Sequence, residues 1–210
     1  MSRRATPGGL GGENLRQLLK RLASGAFLVL TFPCAAASGF GRLPAVFSFF
    51  AHLCALAPGL VGDYVRVSYY RMTLRSCSRD CKISFGAFFA HPQTTVGRRA
   101  SIGPYCVIGC AVIGDGTLLG AAVQILSGGQ QHKRDAQGRL TDEDRKFVEI
   151  VIGEHCWIGA STVVMANVGD KATVAAGSVV LTPVAPGIVV GGNPAERWWP
   201  PSATGRQSVS

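Results

Sequence analysis

The sequence predicts a mainly β chain: a parallel β-helix of six-residue repeats, preceded by an apolar α-helical hairpin. Three observations point there. An aliphatic residue followed by Gly recurs through the second half. Two uncharged runs, 22–41 and 43–62, are separated only by Arg42. Basic residues flank those runs on both outer sides.

The repeat begins at Val96-Gly97 and continues through Ile102-Gly103, Ile113-Gly114, Leu119-Gly120, Ile152-Gly153, Ile158-Gly159 and Val168-Gly169. Val174-Ala175 is an eighth unit with Ala in place of Gly. Gly is 27 of 210 residues, so eight positions would hold about one by composition. Four residues after each aliphatic stands a small residue: Ala100, Cys106, Thr117, Val123, Cys156, Thr162, Ala172 and Ser178. Each unit reads as a short strand and a corner, three units to a triangular turn. The aliphatic fills the interior, the small residue sits where it narrows, and Gly serves the tight corner. The eight units fill two to three turns, and residues 83–95 add room for another. The spacing is five from Ile108 to Ile113 and four from Val164 to Val168.

Each uncharged run has the length of a membrane span. The flanks carry Arg3, Arg4, Arg16, Lys20 and Arg21 before, and Arg66, Arg71, Arg75, Arg79 and Lys82 after. Positive flanks place both ends on the cytoplasmic side. Gly39 to Pro44 has turn chemistry. Residues 1–62 therefore read as a basic segment and a hairpin that dips into or crosses the bilayer through 22–62. Residues 63–82 read as a basic linker, 83–200 as the β-helix and 201–210 as a flexible tail. Two other readings stay open. The runs, broken by Pro33, Pro44, His52 and Pro58, could pack on the β-helix or lie in the membrane interface. Ala35-Ala36-Ala37 after an apolar stretch also suits a cleaved signal peptide.

Composition excludes several classes. The formal charge is +9, and charged residues make up only 16%, so the chain is not of the disordered type. The basic residues flank apolar runs and match no nucleic-acid-binding signature. Seven Cys, an odd number, read as reduced thiols. No two His residues lie close enough in sequence to suggest a metal site, and none is expected.

The repeat stops after Ile125 and resumes at Ile152. The interruption, 126–149, is polar and charged, and long insertions in rigid solenoids tend to carry function. His132 is its only His. His155 falls on an outward repeat position, His91 at the first turn and His52 within an apolar run.

The stretches Ile152 to Ala160, Val174 to Val180 and Gly192-Asn193-Pro194-Ala195 resemble the hexapeptide-repeat acetyltransferases. The resemblance implies a left-handed β-helix, an exception to the right-handed crossover rule. It implies an acetyl-CoA donor, a homotrimer and active sites in the clefts between neighbouring β-helices. His132 would be the general base, taking the proton of the acceptor as it attacks the thioester. A backbone N–H near the coil would stabilise the oxyanion, and Asp135 or Asp142 could orient the imidazole. Ala160 and Ala176 match positions where the donor's pantetheine meets backbone. Leu181-Thr182 replaces the family's Thr-Lys, so Thr182 stands where a Lys contact is missing, and Arg197 is a candidate to pair phosphate instead.

The expected function is acetyl-CoA-dependent O-acetylation of a sugar of a cell-surface polysaccharide or its lipid-linked precursor, at the cytoplasmic face of the inner membrane. The membrane hairpin motivates that acceptor. Two rivals are transfer to serine or a small soluble sugar, and a non-catalytic β-helix scaffold at the membrane.

Overall fold

The computed structural model describes residues 10–127, 133–134, 137–141 and 147–198. Three helices lead: α1 (Leu10–Ala37), α2 (Pro44–Ala55) and α3 (Gly59–Thr73). Strands of two or three residues follow; most stack as three parallel sheets, with one antiparallel strand, Glu196–Arg197, at the end of the second and a separate antiparallel pair, Lys133–Arg134 with Leu140–Thr141.

Each sheet is one face of a triangular solenoid. On the first face Cys77, Val96, Ile113, Ile152, Val168 and Val184 stack in register. Ile83, Ile102, Leu119, Ile158, Val174 and Val190 stack on the second. The third stacks Phe89, Ile108, Ile125, Val164 and Val180. All but the partly exposed Cys77 are buried. Each such Ile or Val contributes about 1.5–3 kcal/mol by burial, and parallel backbone bonds join coils about 4.8 Å apart.

There are five coils and the start of a sixth, more than the two to three turns with room for another that the repeat suggested. The first coil uses Cys77, Ile83 and Phe89 as inward residues, followed by Ser78, Ser84 and Ala90 where later units mostly carry Gly. Spacing is six residues from first face to second and from second to third in every coil. It varies only at the third-to-first corner, between Phe89 and Val96, Ile108 and Ile113, Ile125 and Ile152, Val164 and Val168, and Val180 and Val184. Both spacing faults and the long interruption thus fall at one corner of the triangle.

The repeated Gly has a different role from the expected corner one. A Cβ on Gly103 would lie 2.4 Å from the Gly120 carbonyl oxygen, in the next coil. Hydrogen in place of Cβ lets successive backbones stack. The corner itself is turned by the fourth residue of the unit. It takes φ near +57° at Arg99, Ala122 and Ser161, and at Gly177 it is +70°.

The basic linker expected over 63–82 is not a linker. α3 runs through its first half, and strands Ser76–Cys77 and Lys82–Ile83 start the solenoid within its second. Arg66, one of the basic residues of that expected linker, has no exposed side chain.

Pro44 opens α2 at its first turn, where no N–H is needed. Its buried residues Phe47, Ala51, Cys54 and Ala55 face inward. The Phe47 ring packs on Tyr69 and Tyr70 of α3, and Tyr70 meets Phe89 of the first coil at 4.7 Å. α1 lies along α3, with Phe27 stacked on Tyr64 at 5.4 Å. A quarter of the second apolar run is therefore buried: Phe47, Ala51, Cys54, Ala55 and Gly62. Among the described residues no helix is long and apolar enough to cross a membrane. The expected tail, 201–210, lies outside the described residues.

Candidate active site

The interruption leaves the solenoid at Ser127 and re-enters at Phe147–Glu149. Its two ends meet: the Val148 N–H donates to the Ser127 carbonyl at 3.0 Å. Ser127 is buried, and its Oγ accepts from the Cys110 N–H at 2.8 Å. Gly109 makes room, since a Cβ there would lie 2.4 Å from that Oγ. Thr94 Oγ1 donates to the Gly109 carbonyl at 2.8 Å. Thr94, Gly109, Cys110 and Ser127 thus form a hydrogen-bonded column down the third-to-first corner.

The returning strand is tied to the first two coils. Arg75 pairs with Glu149 and donates from Nε to Thr95 Oγ1 at 3.0 Å. The His91 ring packs on Phe147, with centroids 4.3 Å apart. Burial holds the His91 pKa below the ordinary imidazole value, so the ring is biased to its neutral form. Burial also pushes the Cys110 thiol up. The sequence reading missed this cluster, for which the one signal was His91 at the first turn. Within the interruption Lys133–Arg134 pairs antiparallel with Leu140–Thr141. His132, Asp135 and Asp142 lie outside the described residues.

The second-to-third corner is built differently. Pro104, Ala121 and Ala160 offer carbonyls to the N–H groups of Ala122, Ser161 and Gly177, at 2.7 to 2.8 Å. A Cβ on Gly159 would come within 2.3 Å of the Ala176 nitrogen. Ala160 and Ala176 are exposed and stacked one coil apart. The column leads to a groove of about 400 Å³ lined by Ala175, Gly191, Gly192, Glu196, Arg197 and Trp198, so a carboxylate stands beside the guanidinium. Ala160 and Ala176 share this corner, while Arg197 pairs with Val190 at the end of the second face, beside the groove. Thr182 does not join them: it is exposed at the third-to-first corner, two coils beyond the interruption. Small side chains over accessible backbone, ending at a guanidinium, fit an extended chain with a phosphorylated end.

His155 is exposed, with φ +55°, and its Nδ1 would lie 2.6 Å from a Cβ on Gly116. His52, in the second apolar run, is exposed on α2 with its ring 4.4 Å from Phe88. It lines an apolar groove of about 420 Å³ with Leu56, Phe85 and Tyr105. Among the described residues no group of three His, Cys, Asp or Glu could hold a metal ion. Cys77 Sγ and Cys81 Sγ lie 3.6 Å apart as free thiols.

The family model of the hexapeptide repeat of succinyl-transferase matches residues 149–182, which form the fourth coil and nearly all of the fifth. No curated protein matches the chain. A maltose O-acetyltransferase from Clostridium difficile 630 is similar, with TM-score 0.63 and 22% identity, covering 78% of this chain and 89% of that one. A hexapeptide-repeat-containing acetyltransferase from Vibrio cholerae has TM-score 0.55 and 20% identity, covering 77% and 92%. A polySia-specific acetyltransferase aligns more loosely, at TM-score 0.47 and 19% identity, and the chain spans 64% of its length. At these identities the likeness is one of fold. Stacked hexads, the matched coils and two solved structures of the same architecture agree: the chain folds as a β-helix of hexapeptide repeats, similar in fold to these acetyltransferases.

Proposed function

We propose that the chain is an acetyl-CoA-dependent O-acetyltransferase acting on a sugar hydroxyl, with His132 as general base. The observation that carries this reading is the single long interruption. The coils stack without a break around it, while a polar segment holding one His leaves and re-enters at a braced point. A solenoid that needed only to be rigid has no use for such a segment.

Acetyl-CoA supplies the acetyl group as an activated thioester. Ala160 and Ala176 would receive its extended arm along the second-to-third corner, and Arg197 its phosphates. The His132 imidazole takes the proton from the acceptor hydroxyl as that oxygen attacks, then returns it to the departing thiol. The acceptor is a glycan of a surface polysaccharide or its lipid-linked precursor, met at the cytoplasmic face of the inner membrane. The uncharged, partly exposed runs 22–41 and 43–62 support that location.

The active unit is a homotrimer. Leu118, Trp157 and Val189 support this, as exposed apolar residues on the second face, the first two directly paired. A flat sheet face with such a stripe gains by covering it.

The test is acetyl transfer from labelled acetyl-CoA to a panel of free and lipid-linked sugars and serine, using the purified full chain. Label in an ester on a sugar is the expected result. Transfer to serine alone overturns the acceptor class. Neither transfer nor thioester hydrolysis leaves a scaffold, and the enzyme reading fails.

A further inference from the structure

We infer that the three helices form a docking face that lies in the plane of an anionic lipid bilayer rather than spanning it. The inference rests on the membrane part of the proposed function and specifies how it is achieved.

α2 is the key element. It carries no Asp, Glu, Lys or Arg. One stripe, Phe47, Ala51, Cys54 and Ala55, is buried against α3 and the first coil. The opposite stripe at i, i+4 and i+7 is Phe49, Leu53 and Leu56, which are 63%, 52% and 68% exposed. A helix that packs on a domain normally turns polar residues outward. Here both sides are apolar, and one has no cover.

The exposed stripe continues at both ends. Leu60 and Val61, just past the short turn into α3, are exposed. At the other end Leu43 and Phe40 are exposed, and the Phe40 ring meets exposed Phe32 of α1 at 6.0 Å. The apolar groove lined by His52 and Leu56 opens beside the stripe.

Charge favours lipid as the occupant. Around a protein–protein patch the rim is polar and commonly of mixed sign. Here the single charged residue from 22 to 62 is Arg42, exposed at the turn between α1 and α2. Residues 1–21 add five basic residues against Glu13. The nearest carboxylate after the band, Asp63, is neutralised by Arg66 at 2.6 Å. An uncharged apolar band with basic flanks suits an anionic interface. α2 has 12 residues, too few for the ~20 a span requires, so the band lies in the plane.

The test uses the purified full chain and sedimentation with vesicles of phosphatidylcholine, alone or with one-third phosphatidylglycerol. Binding to the mixed vesicles is expected, weaker on phosphatidylcholine alone and reversed by alkaline carbonate. Leu53→Glu with Leu56→Glu should lower the partition at least about tenfold with an unchanged melting temperature. Absence of binding by the native chain, or equal binding by the double variant, overturns the inference. Resistance to carbonate overturns the in-plane geometry. A lipid-free change of oligomeric state in the double variant assigns the face to a second copy instead. Thioester turnover, measured on both proteins, separates the two claims: a native chain that turns over without docking sinks the docking face alone, and a native chain that docks without turnover sinks the transferase alone.

Discussion

Arg66 donates from Nε to the Ile83 carbonyl at 2.8 Å, from a side chain with no exposed surface. Ile83 is an inward residue of the first coil and Arg66 belongs to α3, so this bond joins the helices to the solenoid. The same guanidinium donates to the Cys54 and Ala57 carbonyls at the end of α2 and pairs with Asp63. Replacing it by Met leaves those carbonyls and a carboxylate without their donor. Arg66→Met should destabilise the fold by about 3–5 kcal/mol, read by urea unfolding. Removing residues 1–62 uncovers Tyr69, Tyr70 and Phe89 as well. The truncated chain should aggregate whether or not the native protein meets a membrane.

The stacking role of the repeated Gly predicts a rank order. Gly103→Ala drives a Cβ into the backbone of the next coil and should cost at least about 2 kcal/mol. Gly177→Ala meets nothing within 4 Å. It bears only the left-handed backbone penalty, about 1 kcal/mol, which Ala122 already bears at an equivalent corner. Thermal unfolding of the two variants should keep that order.

Much of this was legible because the sequence pattern and the packing share a period. Val96 to Val180 could be read as a ladder since most inward aliphatics are followed by Gly or Ala, too small to obstruct the next coil; Leu126, Met165 and Leu181 on the third face are the exceptions. The first coil was hidden because Cys77 and Phe89 take the aliphatic place and Ser and Ala take that of Gly. Arg66 misled, because a single sequence does not distinguish a solvated Arg from one buried against carbonyls. Phe47 and Phe49 show why the hairpin was ambiguous: one is core and the other exposed, two residues apart in an uncharged run. The cluster of Arg75, His91 and Glu149 joins residues up to 74 positions apart, and no local pattern announces it.

His91 gives the fold a pH dependence of known sign. Its folded pKa lies below the ordinary value near 6.5, so the folded state binds the proton less readily than the unfolded chain. The stability this supports is present above pH 6.5 and falls as acid protonates the unfolded state. A histidine NMR titration should put the His91 midpoint below 6.5. His91→Phe should flatten that part of the stability profile while keeping the packing on Phe147.

The Arg75–Glu149 pair is largely exposed and should contribute under about 1 kcal/mol. Glu149→Gln should therefore hardly move the melting temperature. If the pair braces the returning end of the interruption, turnover should fall in the same variant, and high salt, which screens the native pair, should narrow the gap between the two.

The trimer reading places Trp157 at a subunit contact. Trp157→Glu with Leu118→Glu should give monomers by sedimentation velocity, with transfer lost. A native chain that is monomeric and active removes the need for an intersubunit cleft.

The most direct measurement is acetyl transfer by His132→Ala and His132→Asn beside His155→Ala, with acetyl-CoA affinity and melting temperature followed in parallel. General-base catalysis is typically worth about 10²–10⁴-fold. Both His132 variants should lose turnover by that factor while keeping fold and donor affinity, because an amide hydrogen-bonds the acceptor but does not take its proton. His155→Ala should stay near native turnover, its ring being exposed at a coil corner. Near-native turnover in His132→Ala, with loss in His155→Ala, would contradict the assignment and move the active site to another corner of the solenoid.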